Sequence, residues 1–125
     1  MGILDRIHFL GHIPKQDQIG IMNGAIAVIQ PTLFEGGPGG GAVYDAVAIG
    51  VPAILSDIPV NLEIVGEANL LYFKAGDASD LTEKMKTVLT SPVKRSNPEE
   101  LLETGRVRIE KLGETLIEAI KYVIN

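Results

Sequence analysis

Short apolar runs alternate with amphipathic stretches along most of the 125-residue chain. Residues 25–29 and 51–55 form continuous apolar runs, and shorter runs occupy residues 7–10 and 70–73. Apolar runs of strand length, without alternation of polar residues, are typical of strands buried on both faces of a parallel sheet. The pattern therefore predicts an α/β domain with a Rossmann-like parallel sheet flanked by helices.

Helical spacing of apolar residues places helices between the predicted strands. We predict helices over residues 15–23, 42–49 and 61–65, with Gly50 ending the second of them. The spacing between Asp80 and Glu83 predicts a capping box at the start of a further helix.

The last helix is predicted to begin at Asn97, which is followed by Pro98 and two glutamates. It carries apolar residues at helical spacing, so we expect an amphipathic helix that packs on the core. These residues are Leu112, Leu116, Ile120 and Val123.

Composition narrows the class of protein and its partners. The length corresponds to a single domain over residues 1–125. The absence of cysteine excludes a thiolate nucleophile and a cysteine-ligated metal, and we expect no metal site. A formal charge of −5 and the absence of tryptophan argue against nucleic acid as a partner. No apolar signal segment begins the chain, so the expected localisation is cytoplasmic.

Glycine is concentrated in one segment: five of the 14 glycines lie between residues 36 and 41. This segment follows the predicted 25–29 strand, and ligands of parallel α/β sheets bind at the carboxyl ends of strands. Glycines let the backbone approach a ligand, and the helix that follows directs N–H groups towards an anion. The segment therefore predicts a phosphate or diphosphate site, with Glu35 and Asp45 as acids that accept hydrogen bonds from sugar hydroxyls.

Two better-known phosphate motifs fit this segment poorly. The Gly-Lys-Ser/Thr ending of a Walker A loop is absent. In a dinucleotide-binding fingerprint, Pro38 would occupy the third position, and the loop is too long for a tight strand-to-helix turn. The alternatives are a flexible loop for the glycines, a solvated acid for Glu35, and a charge favoured by the helix dipole for Asp45.

An ordered set of motifs carries more information than the glycines alone. In chain order the motifs are Phe9-Leu10-Gly11, Pro31-Thr32, Phe34-Glu35-Gly36-Gly37, Tyr44-Asp45-Ala46, Ala48-Ile49-Gly50-Val51-Pro52-Ala53, Ser56-Asp57-Ile58-Pro59 and Glu63-Ile64-Val65-Gly66. Over roughly residues 7–90 the chain resembles the donor-binding, carboxy-terminal domain of the retaining GT-B glycosyltransferases, the family-4-like group also called glycosyl transferases group 1.

The resemblance implies roles for individual residues. Glu35 is expected to be catalytic and to contact hydroxyls of the transferred hexose, and Asp45 is expected to hold the ribose hydroxyls. The turn at Gly11 and His12 is expected to lie near the base. The backbone N–H groups expected to bind the sugar or diphosphate belong to Gly36, Gly37, Gly39, Gly40 and Gly41.

The resemblance also implies a reaction. We expect transfer of a hexose from a UDP- or GDP-sugar to a hydroxyl acceptor, with retention at the anomeric carbon and with no cofactor. The acceptor would be a saccharide or a lipid-linked glycan, as in polysaccharide biosynthesis by mannosyltransferase-like enzymes, some of them peripheral to the inner membrane. The alternatives are a non-catalytic nucleotide-sugar-binding module, such as a split-enzyme subunit, and a GT-B type nucleotide-sugar epimerase.

The chain departs from the family pattern in three respects. Glu35 and Asp45 enclose nine residues, more than is usual, and the second acid is Asp instead of Glu. The chain also looks truncated, because the strands that carry the diphosphate-binding Arg and Lys are not matched. Either the 7–10 strand pairs directly with the 25–29 strand or a parallel edge is exposed. We therefore expect self-association, strand exchange or an N-terminal domain partner.

Overall fold

The fold is described by a computed structural model over residues 2–64, 69–91 and 95–125. Three parallel strands form one sheet in the order β1-β2-β3, with β1 at Val28–Gln30, β2 at Ala53–Ser56 and β3 at Leu70–Phe73. The helices are α1 Lys15–Gly24, α2 Gly40–Ala48, α3 Ala78–Thr90 and α4 Pro98–Ile124, with short 3-10 helices at Leu4–Arg6 and Asn61–Glu63. This architecture confirms the predicted α/β class with a Rossmann-like parallel sheet.

The central strand β2 carries the core. Successive side chains of a strand point to opposite faces of the sheet. Leu55 packs with Val43 of α2 on one face, and Ile54 packs with Val88 of α3 on the other. All four residues of β2 are buried, as the continuous apolar run predicted. The sheet is therefore covered by helices on both sides, as in doubly wound folds.

Helix α2 ends at Ala48, and Gly50 is the stop residue that the sequence predicted. This residue has φ +73°, a left-handed conformation that glycine adopts without strain. The Gly50 N–H donates to the Val47 carbonyl at 3.1 Å, and the Val51 N–H donates to the Ala46 carbonyl at 2.8 Å. These two bonds form a Schellman motif, which turns the chain directly into β2.

The two carboxy-terminal helices differ in how well their starts were predicted. The predicted start of α4 at Asn97 is confirmed, and it forms a capping box: the Asn97 side chain accepts the Glu100 N–H at 2.9 Å and Glu100 accepts the Asn97 N–H at 3.0 Å. The prediction of Asp80 as a cap is wrong. Asp77 caps α3, and the Asp80 carboxylate instead accepts the Lys74 N–H at 2.7 Å.

The predicted strand over residues 7–10 is absent. These residues have no strand partner in the described chain, and Phe9 is 91% exposed. A strand needs a neighbour to pair its backbone groups, so an apolar run alone does not make one. Consequently β1 pairs only with β2, and its other edge is open over the described residues. β1 is also shorter than predicted and only half-buried.

Helix α4 does not pack on the core, contrary to expectation. None of its described residues is buried, and Leu116 is 55% exposed. Met85 of α3 is 42% exposed. Among the described residues no helix is both long and apolar enough to cross a bilayer. The predicted helix over residues 61–65 is a 3-10 helix at Asn61–Glu63, and Val65 lies outside the described residues.

The Leu55→Ala variant should lose about 2–5 kcal/mol of unfolding free energy, because it leaves a cavity at a fully buried site. Urea unfolding followed by circular dichroism measures this loss. Leu62→Ala, at a site 51% exposed, is the matched control and should change stability much less. Equal losses in the two variants would contradict the central position of β2.

Candidate functional site

The loop between β1 and α2, residues 31–39, lies at the carboxyl end of the sheet. It leaves β1 at Gln30 and reaches α2 at Gly40. The last residue of the neighbouring strand β2, Ser56, donates its hydroxyl to the carbonyl of Thr32. The glycine loop is thus attached to the edge at which parallel α/β sheets bind ligands.

A buried asparagine fixes the far end of this loop. Asn61 is 0% exposed, and its Oδ1 accepts the N–H of Gly39 at 2.9 Å. Its Nδ2 donates to the carbonyl of Ser56 at 2.9 Å. The backbone carbonyl of Asn61 in turn accepts a hydrogen bond from the Tyr72 hydroxyl at 3.1 Å, and burial raises the pKa of that tyrosine. The sequence predicted only that a helix begins at Asn61, whereas the side chain of this residue bridges the loop and the sheet.

Two adjacent glycines have backbones that other residues adopt only with strain. Gly39 has φ +68° and Gly40 has φ +61°. A Cβ at Gly39 would lie 2.8 Å from Cδ1 of Ile64 and 3.0 Å from Cβ of Val43. A Cβ at Gly40 would lie 3.1 Å from Oε2 of Glu35. These two glycines are therefore required by backbone geometry and close packing.

The carboxylate of Glu35 is held against the start of α2. Its Oε1 accepts a hydrogen bond from Nε2 of Gln30 at 2.5 Å, and its Oε2 lies close to Gly40. The Gln30 hydrogen bond lowers the pKa of Glu35 below its usual value. Glu35 is consequently an ionised, partly exposed acceptor at neutral pH, at the positive end of a helix.

The five loop glycines differ in whether their N–H groups are available. The N–H of Gly39 is taken by Asn61, and that of Gly40 donates to the carbonyl of Gly37 at 3.3 Å. Over the described residues, the N–H groups of Gly36, Gly37 and Gly41 have no acceptor in the chain. No side chain caps α2, so donors of its first turn remain free for an anion.

The second acid, Asp45, forms an ion pair with Lys15. Asp45 lies in α2, four residues after Gly41 and hence on the same helix face. Lys15 is the first residue of α1, and its Nζ contacts Oδ2 of Asp45. The side chain of Asp45 is 23% exposed and that of Lys15 is 61% exposed. The pair joins two helices and places a cation beside the face that carries Gly41.

Gly11 and His12 lie on the segment that leads into α1. Gly11 has φ +63°, and both residues are exposed. In the described chain no hydrogen bond joins either residue to the glycine loop. Their proximity to a base stays a prediction.

Four polar residues of the site were missed as site residues by sequence reasoning: Lys15, Gln30, Ser56 and Asn61. Their partners lie 5 to 30 positions away in sequence. Gln30 and Ser56 offered a signal, because each is a polar residue directly after an apolar run at a strand end. Contacts that depend on how separate segments pack leave no local pattern.

The fold and site are those of a parallel α/β domain with an anion-accessible glycine loop flanked by two carboxylates. The family model for glycosyl transferases group 1 matches residues 1–108, and the chain belongs to this family. Membership supports glycosyltransferase activity in general, with a nucleotide-sugar donor and an acceptor as substrates. Neither the curated proteins nor the solved structures gave a match.

Replacing Asn61 tests the bridge between loop and sheet. Asn61→Ala leaves the Gly39 N–H and the Ser56 carbonyl unpaired, at a cost of about 1–3 kcal/mol for each buried group. Asn61→Asp keeps the acceptor for Gly39 but places a buried carboxylate against the carbonyl of Ser56, so at neutral pH its loss should be at least as large. Urea unfolding measures both. Asn23→Ala, at an exposed residue of α1, should be close to neutral, and a neutral Asn61→Ala would refute the bridge.

The pKa of Glu35 should depend on Gln30. In Gln30→Met the amide donor is lost, and the pKa of Glu35 should rise towards its ordinary value. Because the folded-state pKa is lowered, this hydrogen bond stabilises the fold at neutral pH, and its contribution is lost as the pH falls through that folded value. A carbon-detected NMR titration of the glutamate carboxylates reports the shift. Gln16→Met, in exposed helix surface, is the control that should leave the titration unchanged.

Proposed function

We propose that this chain is the donor-binding part of a hexosyltransferase that uses a nucleoside diphosphate sugar, UDP- or GDP-linked. The observation that carries the proposal is the glycine loop with its unpaired N–H groups at the uncapped start of α2. An ionised Glu35 lies on one side of this start, and Asp45 lies one turn beyond Gly41. Such donors suit a diphosphate, and such acceptors suit vicinal hydroxyls.

In the proposed complex the diphosphate lies at the N–H groups of Gly36, Gly37 and Gly41. Glu35 accepts hydrogen bonds from hydroxyls of the hexose, and Asp45 accepts those of the ribose. Asp45 lies four residues after Gly41, a rise of about 6 Å along the helix axis. This spacing separates the nucleoside end of the donor from the N–H groups that face the diphosphate.

Binding of ribose to Asp45 requires a rearrangement of Lys15. The ammonium group now contacts the carboxylate that the ribose hydroxyls would use. Lys15 is exposed on a four-carbon stem, so it can turn away at small cost. Turned towards Gly41, the same group would face the diphosphate and neutralise part of its charge.

The chemical step is a glycosyl transfer assisted by charge stabilisation. The bond between the anomeric carbon and the diphosphate oxygen breaks with its electron pair on the diphosphate, a bond from the acceptor oxygen to that carbon forms, and the acceptor's proton passes to the departing diphosphate. The leaving diphosphate gains negative charge, which the N–H groups and the helix dipole stabilise. Glu35 positions the sugar for this step. We propose retention at the anomeric carbon and a saccharide or lipid-linked glycan as acceptor.

A second candidate, binding of nucleotide sugar without turnover, is favoured by the distribution of cations. Within the described residues no lysine or arginine side chain hydrogen-bonds to residues 31–41, and Lys15 is paired with Asp45. Departure of a diphosphate normally needs strong compensating positive charge. Turnover of a UDP- or GDP-sugar by the chain alone, followed by release of UDP or GDP, would decide in favour of the enzyme.

Two conservative variants separate the ribose and hexose roles by calorimetry with UDP, GDP and their hexose conjugates. Asp45→Asn should weaken the binding of free nucleotides and of nucleotide sugars alike, by on the order of tenfold, because both contain ribose. Glu35→Gln should weaken the binding of the nucleotide sugars and leave the binding of free nucleotides unchanged. The difference follows from the part of the donor that each carboxylate contacts.

The matched control is Asp17→Asn, an exposed acid in the first turn of α1 near the pair formed by Lys15. It should bind every nucleotide as the wild type does. The proposal fails if the wild type binds none of the ligands, or if both site variants bind all of them unchanged.

A further inference from the structure

The carboxy-terminal helix α4 exposes a continuous apolar stripe. In its first turn, Leu101 lies beside Gly50 at the end of α2. Further along, Ile109 is 73% exposed, Leu112 is 59% exposed and Leu116 is 55% exposed. Large apolar side chains repeated along one helix face are normally covered.

The spacing of this stripe is that of a coiled-coil seam. Positions separated alternately by three and four residues run through the helix, and none of them carries a charged residue. We call these seven residues the α4 stripe: Leu102, Gly105, Ile109, Leu112, Leu116, Ala119 and Val123. Charged residues occupy other positions, where Arg106 pairs with Glu103 at 2.7 Å and with Glu110 at 2.5 Å.

We propose that α4 pairs with α4 of a second copy of this chain in antiparallel orientation. In the register that sets Leu112 opposite Leu116 of the second copy, Ile109 faces Ala119 and Gly105 faces Val123. Each small residue is then opposite a large one, as close packing requires. A parallel pair would set Gly105 opposite Gly105 and leave a void at that layer.

This pairing also accounts for Gly105. Glycine weakens a helix, and a Cβ at Gly105 would meet no atom within 4 Å among the described residues. The fold of a single chain therefore gives no packing reason for glycine at this position. A β-branched side chain from a second helix, Val123, provides one.

The area of the stripe is enough for a stable interface. In this register the overlapping seam runs from Gly105 to Val123 and covers 19 residues, or about 28 Å of helix. It carries four large apolar side chains, and Ile120 beside it provides a fifth. If each of these side chains buries on the order of 100 Å² of accessible surface, the two helices together bury roughly 1,000 Å², the lower bound for a specific interface.

Sedimentation of the full chain over a concentration series tests the pairing. The wild type should form a dimer, and Leu112→Glu and Leu116→Glu should raise the dissociation constant about tenfold or more, because each buries a charge. These variants should still fold, since α4 has no buried residue within the described chain. Circular dichroism checks this, and Glu114→Gln, off the stripe, is the control that should dimerise normally.

Cysteine pairs test the orientation, because the chain has no cysteine of its own. When Ile109→Cys and Ala119→Cys proteins are mixed and oxidised, antiparallel pairing should give mainly the mixed disulfide, which mass spectrometry identifies. Disulfides between identical variants would overturn the antiparallel register. A monomeric wild type, or a dimer unchanged by Leu112→Glu and Leu116→Glu, would overturn the interface itself and would point to another occupant or to pairing at the open edge of β1.

Discussion

The candidate site depends on the hydrogen bonds of one buried side chain, the carboxamide of Asn61. A buried amide needs partners for both its oxygen and its nitrogen. Here the oxygen takes the N–H of Gly39 and the nitrogen donates to the carbonyl of Ser56. Gly39 directly precedes α2, and Ser56 ends β2. These two bonds therefore fix where the helix begins relative to the end of the central strand.

Fixing the start of α2 also fixes the charges around it. Glu35 is held against Gly40 at the positive end of the helix, and Asp45 is balanced by Lys15 on the next helix. An anion at the free N–H groups is attracted by the helix end but repelled by two carboxylates. Sugar hydroxyls that donate hydrogen bonds to both carboxylates reduce this repulsion. In the proposed site, a sugar joined to a nucleotide is thus a better ligand than a bare diphosphate.

Local signals in the sequence predicted the parts of the fold that local physics determines. Gly50 ends α2 because its left-handed backbone is encoded by residue type, and Asn97 caps α4 through contacts within one turn. The prediction of a strand over residues 7–10 was wrong, because a strand also needs a neighbouring strand with which to pair. The expectation for α4 was wrong for a related reason: spacing shows that a helix has an apolar face but does not show what covers it.

The candidate site also combines residues that local motifs indicated with contacts that only the folded chain makes. The motifs indicated Glu35 and Asp45, and the structure has Glu35 beside the start of α2 and Asp45 within it, while their ligands are a proposal. The contacts with Gln30, Lys15 and Asn61 join segments that only the folded chain brings together. Of the five glycines, two have N–H groups already used within the chain, and a glycine count could not show which.

The proposed interface and the proposed site are at opposite ends of α2. The glycine loop meets the helix at Gly40, whereas α4 contacts it through Leu101 beside Gly50, after the last turn. Nine helical residues separate these ends by about 13 Å. Arg95, which donates to the carbonyls of Asn23 and Ala25, secures the chain before α4 at the end of α1 remote from Lys15. The start of α4 is therefore remote from the glycine loop and from the ion pair of Asp45.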